Sequence, residues 1–205
     1  DEYLMLVQHE VFGHGDKFRE FNLINHTYEM NPFWPYGDGS GWASADYPNG
    51  REMSYHEEMA ISFNGSQSNK ILSKTLLNSI LQSQNISYRQ ALLYTLTNSD
   101  LIHYVYSTEK PTNINSDDGN DILNYLFMLN KYEYNKKYGE EIENNEEYLL
   151  FTDDFGLTLS KLKKMFLLDL LNPIQLFSIW TIGKIHILDG KSNSSIPMFN
   201  LYQYR

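Results

Sequence analysis

Two histidines and a glutamate near the start of the chain have the residue types of a hydrolytic metal site but not its usual spacing. In Leu4–Phe21, LMLVQHEVFGHGDKFREF, His9 is followed at once by Glu10 and, five positions on, by His14, which has a glycine on each side. In a zinc peptidase helix the histidines stand four apart, so both imidazoles reach one cation while the glutamate works on water. At about 100° per residue, a separation of five turns the second ring about 140° away from the first. A regular helix therefore cannot ligate with both. One residue absorbed as a π-type widening would realign the rings, and such widenings gather at functional sites. Gly13 stands where that turn must be absorbed and has the least steric objection to it. The plain alternative is a pair of surface histidines on an amphipathic helix.

If both rings share a cation, the chemistry follows from the donors. Two neutral imidazoles and one further ligand leave a coordination position for water, whose pKa a Zn2+ ion lowers towards about 7. Glu10 then serves as general base towards the metal-bound water and hands the proton to the leaving amine. The expected activity is zinc-dependent hydrolysis of peptide bonds in a peptide or protein substrate. An oxyanion partner is expected from elsewhere in the chain, with His26, Tyr36, His56 and His103 as unranked candidates. His186, in an apolar helix, reads as a satisfied core residue.

Composition narrows the alternatives. With 205 residues, 41% of them hydrophobic, the chain can bury one substantial core, so a single metallopeptidase-like domain over 1–205 is expected. The formal net charge of -10 repels phosphate backbones, which argues against nucleic acid as a partner. There is no cysteine, so thiolate nucleophiles, disulfides and Cys-based zinc fingers are excluded and any metal site must use His, Asp or Glu. Asp1 and Glu2 lead almost directly into the motif, which implies a piece of a longer polypeptide. The most apolar run, Met165–Leu188, is interrupted by Asp169, Asn172, Pro173 and Gln175. It reads as two helices meeting at a proline rather than a membrane span, leaving peripheral membrane association open.

The elements that must position the motif are mainly α-helical. Apolar periodicity predicts a helix over Tyr3–His14 with Gly15 as its stop. Asn31–Gly50, rich in proline, glycine and aromatics, reads as a long ordered loop or flap in which Phe33, Trp34, Tyr36 and Trp42 either line a substrate wall or anchor the loop. A second helix is predicted from Ser54 to about Leu81, weakened at Asn64 and Gly65, with Ile71, Leu72, Leu76, Leu77, Ile80 and Leu81 facing a core. A third follows over Tyr88–Tyr106 with a break near Asn98, and a fourth from Asp121 to about Tyr138. The acidic stretch Glu140–Glu147 reads as a solvated face. Two more helices are expected over Thr158–Leu171 and Pro173–Leu188, and the tail from Ser195 alternates like a strand without an evident partner.

The segment His9–Gly15 resembles the H-E-x-x-G-H-G signature of dipeptidyl peptidase III, a metallopeptidase family with this lengthened zinc helix. In that family a later helix supplies the third ligand from an E-E-x-R-A-[DE] motif, through its second glutamate. Here His56–Ser62, HEEMAIS, matches the paired acids at Glu57 and Glu58 and lacks the arginine and final acid. The resemblance therefore implies a gluzincin-like helical domain with Glu58 as third ligand. A looser likeness links the chain to uncharacterised bacterial proteins that combine the same helix with a P-P-Y-G-x-G-G-like loop, here Pro35–Gly39, and a G-x-E-x-N segment. That segment is here Gly65–Asn69, GSQSN, which puts Gln67 in the ligand position. Nine positions separate Glu58 from Gln67, about two and a half turns, so only one should bind. The bacterial likeness implies periplasm or cell envelope. Two other readings stay open: a catalytically inactive relative that binds a peptide or envelope partner, and a plain helical domain without metal.

Overall fold

The computed structural model describes residues 1–31, 39–108, 120–139, 157–167 and 172–195, and the fold is mainly helical. Helix α1 (Glu2–Val7), a π-helical segment (Gln8–His14) and α2 (Gly15–Glu20) run on as one helix. Gly15 does not stop it: its φ of -62° and ψ of -26° are helical. The glycine serves close approach instead, because a Cβ there would lie 2.5 Å from the Tyr28 hydroxyl. The helix ends at Phe21, with Asn22 in the left-handed region and the Leu23 N–H returning to the Phe18 carbonyl at 2.8 Å.

Strand β1 (Ile24–Met30) pairs antiparallel with β2 (Gly41–Asp46), with a bulge between Ile24 and Thr27. The expected flap of Asn31–Gly50 is thus half of a hairpin in its described part. Weakly apolar strands of this length carry little periodic signal, which is why the sequence reads as loop. Residues 32–38, including Phe33, Trp34, Pro35, Tyr36, Gly37 and Asp38, lie outside the described residues.

Helix α3 (Tyr55–Ser83) opens on a full capping box, Ser54 and Glu57 each bonding the other's backbone N–H. It runs unbroken through Asn64 and Gly65. Its buried face is mostly small and polar, Ser62, Asn64, Gly65, Ser66, Ser68, Asn69 and Ser73, which lets other helices approach its backbone. The apolar expectation for its second half holds for Ile80, buried, and for Leu76 and Leu77, partly buried. Ile71 and Leu81 instead face solvent.

A short strand β3 (Asn85–Ser87) leads into α4 (Tyr88–Ser107), which is not broken at Asn98 because that side chain is turned inward and donates to Gln175 Oε1 at 3.0 Å. Helix α5 spans Asp121–Tyr138 between an Asn120 cap and left-handed Gly139. Helix α6 (Leu159–Leu167) and α7 (Pro173–Trp180), with proline in its first turn, follow. A second π-helical segment (Thr181–Leu188) leads to β4 (Asn193–Ser195), which pairs with β3 and supplies a partner at the start of the tail. The acidic stretch Glu140–Glu147, the end of the Thr158–Leu171 helix and the tail beyond Ser195 lie outside the described residues.

Two apolar clusters hold these helices. Leu101 and Val105 of α4 pack on Ile122 and Leu126 of α5 and on Leu159 and Leu162 of α6. Ile80, Ile86, Ala91 and Tyr94 form the other, with Ile174, Phe177 and Ile182 against it. The first cluster docks the amino-terminal end of α5 beside α4. Among the described residues, no helix is long and apolar enough to cross a membrane.

Candidate metal centre

The site is built on the widened turn. Gly15 N–H bonds the Glu10 carbonyl five residues back, so the extra residue between the histidines is absorbed inside the helix. Both rings then face α3, with centroids 5.0 Å apart. Two α3 side chains brace the turn: Asn64 donates to the Gly13 carbonyl at 2.7 Å and Ser68 to the Gln8 carbonyl at 2.6 Å. Glycines make that proximity possible, since a Cβ on Gly13 would lie 2.6 Å from the Gly65 Cα. A Cβ on Gly65 would lie 2.3 Å from His9 Nε2 and 2.7 Å from His14 Nε2, so the ring nitrogens can pack this closely on α3 only because residue 65 has no side chain.

His9, Glu10 and His14 are all at least nine-tenths buried, and their donor atoms lie within 4.8 Å of one another, a group that could hold a metal ion. Each ring has an outer partner on Nδ1. His14 Nδ1 donates to the Ile61 carbonyl at 2.8 Å, and His9 Nδ1 is 3.5 Å from Asp100 Oδ2, which also accepts from Asn69 at 3.0 Å. With Nδ1 donating, the neutral tautomer of each ring leaves a bare lone pair on Nε2. Both Nε2 atoms lie 3.1 Å from a single oxygen, Asp121 Oδ2, in the first turn of α5. Asp121 in turn donates its backbone N–H to Tyr104 Oη at 3.0 Å.

The charges are strongly coupled. Burial opposes protonation of His9, yet the Asp100 and Asp121 carboxylates outweigh it and push its pKa up to about 10. His14 is raised as well, burial again opposing and Asp121 prevailing. Burial would raise Asp121, but His14 and His9 hold it below the usual carboxylate range. Burial raises Glu10, with both rings working against it. A metal-free site therefore needs two buried imidazolium rings side by side to present an N–H to the same carboxylate oxygen. A dication substitutes for those two protons at equal charge, and with two imidazole nitrogens beside carboxylates the donor set suits one.

Of the residues singled out in the sequence, His9, Glu10 and His14 come together. Glu58 does not join them: it is half-buried, its pKa raised by burial and opposed by Lys131 of α5. It precedes Gly65 by seven positions, about two turns, so it shares that side of α3 but lies about 10 Å along the axis. Gln67 is exposed, about 200° around the helix from Gly65. His26 bonds the Leu23 carbonyl and packs on Phe18, His56 lies against Tyr132, and His103 is exposed. Tyr36 lies outside the described residues. His186 is buried with Nδ1 on the Lys191 carbonyl and Nε2 without a hydrogen-bond partner among the described residues, so it is only half satisfied.

Sequence reasoning missed Asp121, Asp100 and Tyr104. Tyr104 lies with its ring centroid 6.1 Å from that of His9, and burial raises its phenol pKa. Asp121 had only a helix-start signal, Asn120 followed by an acid, and Asp100 had none. The hairpin covers the other flank: a Cβ on Gly41 would lie 2.3 Å from Glu10 Oε1, and the neighbouring Trp42 is exposed. No family model, curated protein or solved structure matches this chain.

Proposed function

We propose that this chain is a zinc-dependent hydrolase of peptide bonds, with His9 and His14 as metal ligands and Glu10 as general base. The observation that carries the reading is the π-helical turn: two buried imidazoles five residues apart converge through Nε2, and both Nδ1 atoms are engaged from outside. The single carboxylate oxygen that both Nε2 atoms face supports a bound cation. Zinc suits two imidazoles and a carboxylate in a site without sulfur. When bound, the metal supplies Lewis acidity to a carbonyl and to water.

The chain's own residues do the remaining work. Glu10, next in sequence to His9, accepts a proton from the attacking water on its carboxylate and returns it to the leaving amine. Burial raises its pKa, with His9 and His14 opposing. Gly41 lets the hairpin backbone lie close against that carboxylate, and exposed Trp42 beside it offers an apolar wall for a substrate side chain. Ile61 and Asp100 fix the ring orientations, and Asn69 holds Asp100.

The test is hydrolysis of a mixed peptide library by zinc-loaded protein and by Glu10→Gln. The expected result is cleavage by the wild type and a loss of about 100-fold or more in the variant, with zinc stoichiometry unchanged. Equal rates, or none in either with zinc bound, would replace the enzyme by a second reading, a metal-stapled module that binds a peptide or envelope partner.

A further inference from the structure

We infer that the third metal ligand is Asp121 of α5, across from the widened turn, and that α3 contributes a closely packed glycine instead of a ligand. The inference rests on the metal reading above and adds the residue that completes it. Asp121 Oδ2 stands 3.1 Å from His9 Nε2 and 3.1 Å from His14 Nε2. A tetrahedral site with ligands at about 2.0–2.1 Å has ligand-to-ligand edges of about 3.3–3.4 Å. Two edges of such a site are thus already within a few tenths of an ångström, and a small outward shift of the carboxylate admits the ion.

The neighbouring acids have other places. Asp100 meets His9 on Nδ1, away from the convergence point, and is held there by Asn69, the position of an outer carboxylate that orients a ligand histidine. Glu10 remains free for proton transfer once Asp121 supplies the anionic ligand. Glu58 stands about two helical turns from Gly65, where α3 meets the rings, and has Lys131 as its charged neighbour. The placement of Asp121 is also well supported locally. Its carboxylate lies in the first turn of α5, where the helix dipole favours an anion, and its backbone N–H is tied to Tyr104.

The absence of cysteine from the chain provides a direct reporter. Cobalt(II) is added to metal-free Asp121→Cys and Glu58→Cys under reducing conditions, and the near-ultraviolet thiolate-to-cobalt charge-transfer band is recorded. The band is expected from Asp121→Cys alone. In parallel, zinc affinity is measured by competition with a chromophoric chelator. Asp121→Asn should lower it by more than about 100-fold, beyond the 10–100-fold expected for Asp100→Asn, which removes only an outer partner. Glu58→Gln and Gln67→Ala should leave it unchanged. The inference is overturned if Asp121→Cys binds cobalt without the band, or if Asp121→Asn binds zinc as the wild type does while Glu58→Gln does not. Absence of stoichiometric zinc or cobalt from the wild type overturns the metal reading itself, and this inference with it. Because the cobalt spectrum reports ligation directly, it stays decisive if Asp121→Asn folds poorly.

Discussion

Replacing Gly65 by alanine adds one methyl group at the point where the three helices meet, and its cost follows from the contacts. The new Cβ would stand 2.3 Å from His9 Nε2, 2.6 Å from His9 Cδ2 and 2.7 Å from His14 Nε2, whereas non-bonded atoms settle near about 3.5–4.0 Å. About 1 Å must be found. Either the rings turn away from Asp121, giving up a charge-assisted hydrogen bond worth about 1.5–3 kcal/mol, or α3 recedes. Recession stretches the bonds to the Gly13, Gln8 and Ile61 carbonyls, now 2.7, 2.6 and 2.8 Å. Overpacking of this kind costs about 1–3 kcal/mol. Alanine regains about 1 kcal/mol of helix propensity over glycine. The net expectation is a loss of up to about 2 kcal/mol, or up to about 4–8 °C in melting temperature for a chain of this length, read by thermal circular dichroism with chelator present. Zinc affinity should fall as well, because the methyl pushes both Nε2 atoms out of place. Gly183→Ala, where a Cβ meets nothing within 4 Å, is the control and should melt no lower than the wild type. If Gly65→Ala matches that control in both melting temperature and zinc affinity, the account of α3 as a wall packed on the two rings through Gly65 is wrong.

Leu126→Ala empties a fully buried position between α4, α5 and α6. It should cost about 2–5 kcal/mol in denaturant unfolding and weaken zinc binding too, since the same packing delivers Asp121. Ser54→Ala removes half of the α3 capping box and should cost about 1 kcal/mol while leaving zinc affinity within two- to threefold, on the order of a few tenths of a kcal/mol. The pH dependence of the metal-free protein follows from His9, whose pKa is raised from 6.5 to about 10. Its protonated form contributes stability that is fully present below about pH 6.5 and is lost as pH rises towards 10. Melting in chelator should therefore drop across that range and flatten with excess zinc. A flat profile in chelator would contradict the clasp of two rings on Asp121.

The sequence determined the local half of the site. Whether two imidazoles five positions apart can face one point depends only on backbone geometry within a turn, so His9, Glu10, Gly13 and His14 were enough to call for a π-type widening, and one spans Gln8–His14. Helix starts were legible for the same reason, near Ser54 and at Asp121, where the structure shows side-chain caps that act over three residues. Gly15 was misread because its role is contact with Tyr28 of β1, a feature of packing and not of the helix. Only the tertiary structure decided which acid meets the histidines. Asp121 lies 112 positions from His9 and is one of 26 acids in the chain. Nothing within its own segment distinguishes it from Glu58. Its place follows from Leu126 and Ile122 docking α5 on α4, and from Gly65 and Gly13 letting α3 and the widened turn approach closely enough to enclose the site. Those distances are set by side-chain volumes summed across three helices, information that no local spacing contains.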